Sequence, residues 1–177
     1  MLSSLLFLFV MANQSYDTQA YTVIERIDAI EIRYYPSAMK VKVESSLKDN
    51  RNFRALFRYI SGNNIENKKI AMTTPVYMHN SPQGQIMEFV LPARFKEDAP
   101  QPRGAGVEVY QSKPGYFAAI RYSGYSNTSK EKNYTQALLK TLKTAHKKVL
   151  GNPAVLSYDA PYKFYNRRNE SLVKVEN

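Results

Sequence analysis

The chain has 177 residues, 44% of them hydrophobic and 23% charged, so it can bury one core and is too apolar to be disordered throughout. It has no cysteine and two histidines, His79 and His146, which excludes disulfides and thiol nucleophiles and leaves a zinc site or a histidine-based triad poorly supplied. The net charge of +10 is that of a solvated basic surface or of a protein with anionic partners, but no nucleic-acid-binding motif accompanies it.

The first twelve residues differ from the rest because Leu5–Ala12 is an unbroken apolar run. A bilayer span needs about 20 apolar residues, whereas this length fits the core of a signal peptide that ends in a small-residue cleavage site. No Lys or Arg precedes the run. We predict that residues 1–12 are a signal peptide of an exported, periplasmic or secreted protein. The alternatives are a short apolar anchor and, if the segment is no signal, a cytoplasmic protein.

Residues 13–20 form a polar lead-in to a single domain of residues 21–177. The domain begins with three strand-like runs, Tyr21–Arg26, Ala29–Tyr35 and Ala38–Glu44, in which apolar side chains alternate with polar ones. This alternation predicts antiparallel strands with one buried face and one face in solvent. Pro36 lies in the turn between the second and third strands.

The first helix is predicted from Asn50 to Ser61, with Asn50 as its N-cap and Gly62 just after its end. One face carries apolar residues at the i, i+3, i+4 and i+7 positions, and cationic residues form a stripe beside it. The apolar residues are Phe53, Leu56, Phe57 and Ile60, and the cations are Arg51, Arg54 and Arg58.

An irregular apolar strand is predicted over residues 70–77, interrupted by Pro75, and Gln85–Leu91 follows as a second strand. A helix that leads into such a strand can form the floor of a shallow pocket. The proline-rich stretch Pro92–Gly106 is predicted as a long surface connection.

The second half of the chain repeats the order strand, strand, helix, strand, strand. Neither unit can bury its sheet face alone, so we expect the two to pack as a pseudo-twofold pair. The second helix has a predicted capping box at Thr128 and Glu131. The predicted elements of this half are Val107–Gln111, Tyr116–Tyr122, the helix Ser129–Leu150, Leu156–Tyr162 and Ser171–Val175.

The stretch Ile70-Ala71-Met72-Thr73-Thr74-Pro75-Val76 resembles the signature of the SOUL haem-binding protein family. The runs Tyr21–Arg26 and Ile30–Tyr35 are similar to the opening strands of that family, and Pro161–Glu170 is similar to its closing stretch. The resemblance implies an α+β fold, a distorted antiparallel β-barrel of two related repeats with one flanking helix each. The same architecture resembles effector-binding domains of multidrug-responsive regulators, but no DNA-reading helix pair is attached here.

The resemblance also implies a function, the binding of haem or a related tetrapyrrole. A planar apolar ring with two carboxylates requires an apolar floor and cations at one rim. In the family, basic residues that match Arg58 and Lys163 are proposed to meet the propionates. A third family cation falls on Asn50, so that Arg51 or Arg54 would replace it. The predicted site comprises Phe53, Arg54, Leu56, Phe57, Arg58, Ile60 and Lys163.

Some family members carry a histidine at the position of Tyr34, and this chain does not. We therefore predict no strong axial ligand and no metal site, and no catalytic constellation that would make the protein an enzyme. The expected protein is a monomer that does not bind nucleic acid. The alternative function is a peripheral basic protein that associates with anionic membranes, or with another small amphipathic ligand, without haem.

Overall fold

The computed structural model describes residues 16–46 and 51–177. The predicted signal peptide and the N-cap at Asn50 lie outside the described residues. The elements in chain order are β1 (Asp17–Thr18), β2 (Thr22–Ile27), β3 (Ile30–Tyr35), β4 (Met39–Ser45), α1 (Arg51–Ile60), β5 (Thr73–Thr74), β6 (Val76–Ser81), β7 (Gly84–Val90), a 3₁₀-helix (Ala93–Phe95), β8 (Val107–Gln111), β9 (Gly115–Tyr122), α2 (Thr128–Thr144), β10 (Ala154–Ser157) and β11 (Asn169–Val175).

Nine strands form one curled antiparallel sheet in the order β2-β3-β9-β11-β10-β6-β7-β4-β8, a half-barrel. The short strands β1 and β5 pair in parallel as a separate ribbon. Helix α1 packs against β4, β7 and β8, and helix α2 packs against β9 and β11. The predicted α+β class, with an antiparallel barrel-like sheet and two flanking helices, is confirmed.

Each helix covers its own hydrophobic core, because every second residue of the strands beneath it is apolar. Beneath α1, Leu56 and Ile60 pack against Val41 and Phe89. Beneath α2, Leu138 and Leu142 pack on strand residues that include Ile30, Ile32, Ala118 and Val173.

Apart from β2, the strand order is symmetric about the middle of the sheet: each strand of the first half lies as far from one edge as its counterpart in the second half lies from the other. Thus β3, β4, β6 and β7 take the places of β8, β9, β10 and β11, with β2 added at one edge. The twofold relation in space stays a prediction, and superposing residues 30–90 on residues 107–175 tests it.

The second helix is shorter than predicted. Its N-cap is Asn127, whose side chain accepts a hydrogen bond of 2.9 Å from the backbone N–H of Lys130, so the predicted capping box at Thr128 and Glu131 was wrong. It ends at Thr144 rather than at Leu150. The following chain turns through a left-handed residue, His146, and the N–H of Leu150 donates to the carbonyl of Lys174 in β11. Pairing with the sheet has replaced the last turns of helix.

Two predicted strands differ in the structure. Residues 69–72 are not in a strand, and the motif supplies only the short β5 and the start of β6, joined through the cis peptide bond Thr74–Pro75. The strand predicted over Leu156–Tyr162 stops at Ser157, and residues 158–168 form a loop. The N–H of Tyr158 donates to the carbonyl of Arg168 across the base of that loop. In addition, β1 lies within the predicted lead-in.

The largest correction concerns the sheet face away from the helices, which we call the inner face. It was predicted to lie in solvent, yet Arg33, Tyr35 and Lys40 are buried there with exposed fractions of 3%, 4% and 7%. The curl of the half-barrel encloses this face. Burial of the charges is tolerated because each has an opposite charge within hydrogen-bonding distance.

Candidate functional site

The outer surface of α1 presents one large aromatic side chain to solvent. Phe57 is 49% exposed, and its ring stacks on Phe53 with centroids 5.9 Å apart and planes 14° apart. Phe53 in turn makes an edge contact with Phe89 of β7, at 5.4 Å. This stack holds Phe57 in a fixed orientation, with one ring face available to a flat ligand.

The other two members of the predicted apolar floor point inward. Leu56 is fully buried and Ile60 is 4% exposed, both within the core under α1. Of the four apolar residues, Phe57 is therefore exposed and Phe53 is partly exposed. Leu56 and Ile60 support those rings from below.

Arg54 and Arg58 are exposed on the same helix, four residues apart, so their side chains share one side of α1. Arg58 lies in the last turn, where a cation is favoured by the helix dipole. Helical spacing places both arginines on the same side of Phe57, so an exposed cationic stripe runs beside the exposed ring.

Lys163 lies in the loop of residues 158–168 and is already paired. Its ammonium group donates to Asp159 at 2.5 Å, and the backbone N–H of Arg168 donates to the same carboxylate. Burial tends to raise the pKa of Asp159, but the hydrogen bonds from Lys163 and Arg168 hold that pKa below its usual value. An anion that binds Lys163 has to compete with Asp159.

The loop that carries Lys163 exposes three aromatic side chains. Tyr162, Phe164 and Tyr165 are 78%, 75% and 64% exposed. Arg167 holds the loop in shape from inside by donating to the carbonyls of Ala160 and Lys163, at 2.8 and 2.6 Å. The exposed rings therefore project from an ordered turn.

A series of contacts connects the end of α1 to this loop through the signature motif. The N–H of Ile70 donates to the carbonyl of Ile60 at 2.8 Å, and three residues later Thr73 and Thr74 pair with β1. Tyr16, next to β1, hydrogen-bonds Tyr162, and burial together with that neighbour raises the pKa of Tyr16. The motif thus links the end of α1, the N-terminal segment and the loop through successive contacts.

The threonines of the motif have structural partners. The Thr73 hydroxyl donates to the carbonyl of Val90, and the Thr74 hydroxyl lies 3.0 Å from that of Thr18. The carbonyl of Thr74 accepts from the N–H of Gln19 at 2.8 Å. Through these bonds the motif connects the nine-stranded sheet to β1.

Sequence reasoning missed two ionic clusters on the inner face. In the first, the buried carboxylate of Glu170 accepts two hydrogen bonds from Arg33, at 2.6 and 3.1 Å, and further bonds from Tyr158 and Arg168. Burial would raise the pKa of Glu170, but the bonds and charges of Arg33 and Arg168 lower it. Burial raises the pKa of Tyr35, which also accepts from Arg33, to about 12.

The second cluster surrounds Glu88 of β7. Its carboxylate accepts from Lys40 and from the hydroxyl of Tyr110, both at 2.9 Å, and the Nε2 atom of His79 lies 3.5 Å away. Burial opposes ionisation, but His79 and Lys40 hold the pKa of Glu88 at about 2. The Lys40 ammonium group also lies over the ring of Tyr77, 3.4 Å from its centroid. The alternation of charged with apolar residues was the available signal, but it does not reveal burial.

Two cavities of about 340 Å³ each open near these elements. The first is mostly apolar and lies beside the β1–β5 ribbon, between residues 36–39 and residues 90–93, with Lys96 among its lining residues. The second is polar and lies at the inner face beside Glu170. None of the seven predicted site residues lines either cavity.

The residues considered as iron ligands lie apart from α1 in the sequence and have other surroundings. His79 is in β6 beside Glu88, and His146 is exposed after α2. Tyr34 packs against Tyr116 with ring centroids 5.3 Å apart. Within residues 16–46 and 51–177, no group of three or more His, Asp or Glu side chains is arranged to hold a metal ion. Nor does any helix in those ranges have the length and apolar character needed to cross a bilayer.

Comparison with solved structures shows a fold shared at low sequence identity. The C-terminal domain of EcmrR is 11% identical with a TM-score of 0.59, over 89% of this chain and 98% of that one. A protein from Listeria innocua described as a hydrolase is 8% identical with a TM-score of 0.57, over 83% and 91%. EcmrR in a complex with DNA gives a TM-score of 0.58 at 11% identity, over 86% of this chain but 60% of that one. These likenesses concern the fold alone.

The comparison with curated proteins finds no match. The family described as "SOUL heme-binding protein" matches residues 16–174, which include the motif, both helices and almost all of the sheet. The chain belongs to the SOUL heme-binding protein family.

Proposed function

We propose that the protein binds haem or a related tetrapyrrole on the outer surface of α1. The observation that carries the proposal is the half-exposed ring of Phe57, stacked on Phe53 with the exposed Arg54 and Arg58 to one side of it, in a chain of a heme-binding family. A porphyrin placed against Phe57 buries apolar surface, and its propionates reach the guanidinium groups. The family match supports the ligand class, and the geometry of α1 supports the place.

Arg58 and Lys163 have different roles in this proposal. Arg58 is exposed and its side chain has no hydrogen-bond or ion-pair partner within the described residues, so a propionate displaces none of them. Lys163 has to exchange Asp159 for the ligand, which offsets most of the gain. We therefore assign the main cationic contact to Arg58. Lys163 would contact the ligand only if its loop moved toward α1.

The proposed site contains no protein ligand to iron, and the protein is proposed to be a binding protein rather than an enzyme. The Nε2 atom of His79 lies 3.5 Å from the carboxylate of Glu88, on the inner face of the sheet. We also propose that the protein is a monomer, that it does not bind nucleic acid, and that it is exported after cleavage of residues 1–12.

Titration of the purified protein with hemin tests this function. Binding should shift the Soret band with saturation, and Arg54→Gln together with Arg58→Gln should weaken it more at low salt than at high salt. A protein that leaves the hemin spectrum unchanged at every concentration below aggregation would contradict the proposal.

A second candidate function is association with an anionic membrane, which the exposed rings of Tyr162, Phe164 and Tyr165 favour. Aromatic side chains on an ordered loop enter the lipid headgroup region, and the net charge of +10 adds attraction to an anionic surface. Flotation with phosphatidylserine vesicles tests it. Replacing all three rings with serine should release the protein if the loop is the anchor, and phosphatidylcholine vesicles serve as the uncharged control.

A further inference from the structure

The polar cavity at the inner face is lined by an unusual number of guanidinium groups. It has a volume of about 340 Å³ and lies at the edge of the sheet between the β2–β3 hairpin, β9 and the start of β11. Four arginines from four segments converge on it, and three carboxylates leave one positive charge in excess. The arginines are Arg26, Arg33, Arg121 and Arg168.

Two of the charged groups have no capacity left for a ligand. Arg33 is 3% exposed and donates to Glu31, Tyr35 and Glu170, while Glu170 is fully buried and accepts from two arginines and a tyrosine. This pair forms the floor of the cavity and fixes its shape. The floor is rigid because each member is held by groups on several elements.

The remaining cations do have capacity. Arg121, on β9 opposite Glu170 in the strand register, makes no hydrogen bond or ion pair within the described residues. Arg168 uses Nε and Nη2 for Glu170 and Tyr21, while its Nη1 atom makes no bond within those residues. Unsatisfied guanidinium N–H groups at a polar cavity bind oxyanions, because their planar donors match carboxylate and phosphate oxygens.

From this arrangement we infer that the cavity binds a small organic anion bearing a carboxylate or phosphate group. Arg121 and Arg168 hold the anionic end, above the mutually paired Arg33 and Glu170. A volume of about 340 Å³ is at the lower end of small-molecule sites, which suits a short acid better than a porphyrin. The site is separate from the surface of α1, since it shares no residue with it.

The anion has to bind near one unfavourable group, Asp28. This residue lines the cavity, has a φ of 50°, and has no hydrogen-bond or ion-pair partner within the described residues. Asparagine tolerates that left-handed conformation and has the same shape. The substitution Asp28→Asn therefore removes a negative charge from the site while preserving the hairpin.

Calorimetric titrations at constant ionic strength, with chloride as the balancing anion, test the inference. The probes are succinate, inorganic phosphate and the uncharged analogue succinamide. We expect succinate or phosphate to bind and succinamide not to bind. If the full-length protein takes up neither anion, or if succinamide binds as well as succinate, the inference is overturned.

The variants give effects of opposite sign. Arg121→Gln should weaken anion binding up to about fivefold, because Arg121 is exposed and water screens its contact with the anion. Arg121→Lys, which retains the charge without the planar fork, should lie between it and wild type, and Asp28→Asn should strengthen binding several-fold. Lys143→Gln, on the exposed side of α2, is the matched control for charge and should change nothing.

Equal weakening by Arg121→Gln and Lys143→Gln would show a general charge effect and overturn the inference. If Arg121→Gln binds the anion more strongly and Asp28→Asn binds it more weakly, the cavity is a cation site and the inference is also overturned. A hemin titration of Arg121→Gln should match wild type, so that failure of the tetrapyrrole proposal and failure of this one are distinguishable. Thermal unfolding confirms that each variant is folded.

Discussion

Replacing Phe57 with alanine should weaken hemin binding more than removing either cation. Phe57 is 49% exposed, and a phenylalanine side chain offers about 200 Å² in full, so about 100 Å² is available to a ligand. At about 25 cal/mol per Å², covering that area contributes up to about 2.5 kcal/mol. The Phe57→Ala variant should therefore bind hemin up to about 70-fold more weakly.

The cationic contribution is smaller because Arg58 is exposed. A solvent-exposed ion pair contributes about 0.2–1 kcal/mol and is screened by salt. Arg58→Ala should thus weaken hemin binding less than about fivefold at low salt, and hardly at all at high salt. Lys163→Ala should have a smaller effect still, because Lys163 is already paired with Asp159.

The assay is a hemin titration followed at the Soret band, at low and high salt, with thermal unfolding to confirm the fold. Leu150→Ala is a matched control, because Leu150 is 46% exposed and lies after α2. It should bind like wild type. The reasoning is refuted if Arg58→Ala abolishes binding at both salt concentrations while Phe57→Ala binds normally.

Three further predictions follow from other parts of the chain. Glu88 has a pKa of about 2 in the folded protein, below the ordinary 4.5. The ionised carboxylate therefore stabilises the fold fully above pH 4.5, and this stabilisation is lost as the pH falls toward 2. Between about pH 6 and about pH 3, wild type should lose about 2 kcal/mol more unfolding free energy than Glu88→Gln in denaturant titrations, and equal losses would contradict the assignment. Replacing His79 and His146 together with alanine should leave the hemin spectrum largely unchanged, and loss of the Soret shift would identify a histidine ligand. Mass spectrometry of the exported protein should find residues 1–12 removed, whereas an intact Met1 in a cytoplasmic fraction would refute export.

The elements that depend on local pattern were predictable from the sequence. The spacing of Phe53, Leu56 and Ile60 predicted α1, because residues three and four apart share one helix face. The alternation in β3 and β4 predicted two antiparallel strands. In each case the signal and the structure lie within about ten residues of each other.

The inner face was not predictable, because its partners are distant in sequence. Arg33 and Glu170 are 137 residues apart, and Lys40 and Glu88 are 48 apart. A charged residue that alternates with isoleucine looks solvent-exposed until the curl of the sheet is known. The end of α2 failed for a related reason, since pairing of Leu150 with Lys174 depends on where β11 lies.

The two ionic clusters explain how one sheet can support two different surfaces. Glu88 on β7 and Glu170 on β11 are each buried, each joined to a cation from an early strand and to a tyrosine hydroxyl. A buried charge that is fully paired specifies one packing of the sheet, since breaking the pair costs several kcal/mol. The helix-bearing face is then free to vary at its surface, where Phe57 and Arg58 lie. In the polar cavity beside Glu170, the four arginines outnumber the three carboxylates by one. That excess includes the exposed Arg121, the side chain that the proposed anion would contact.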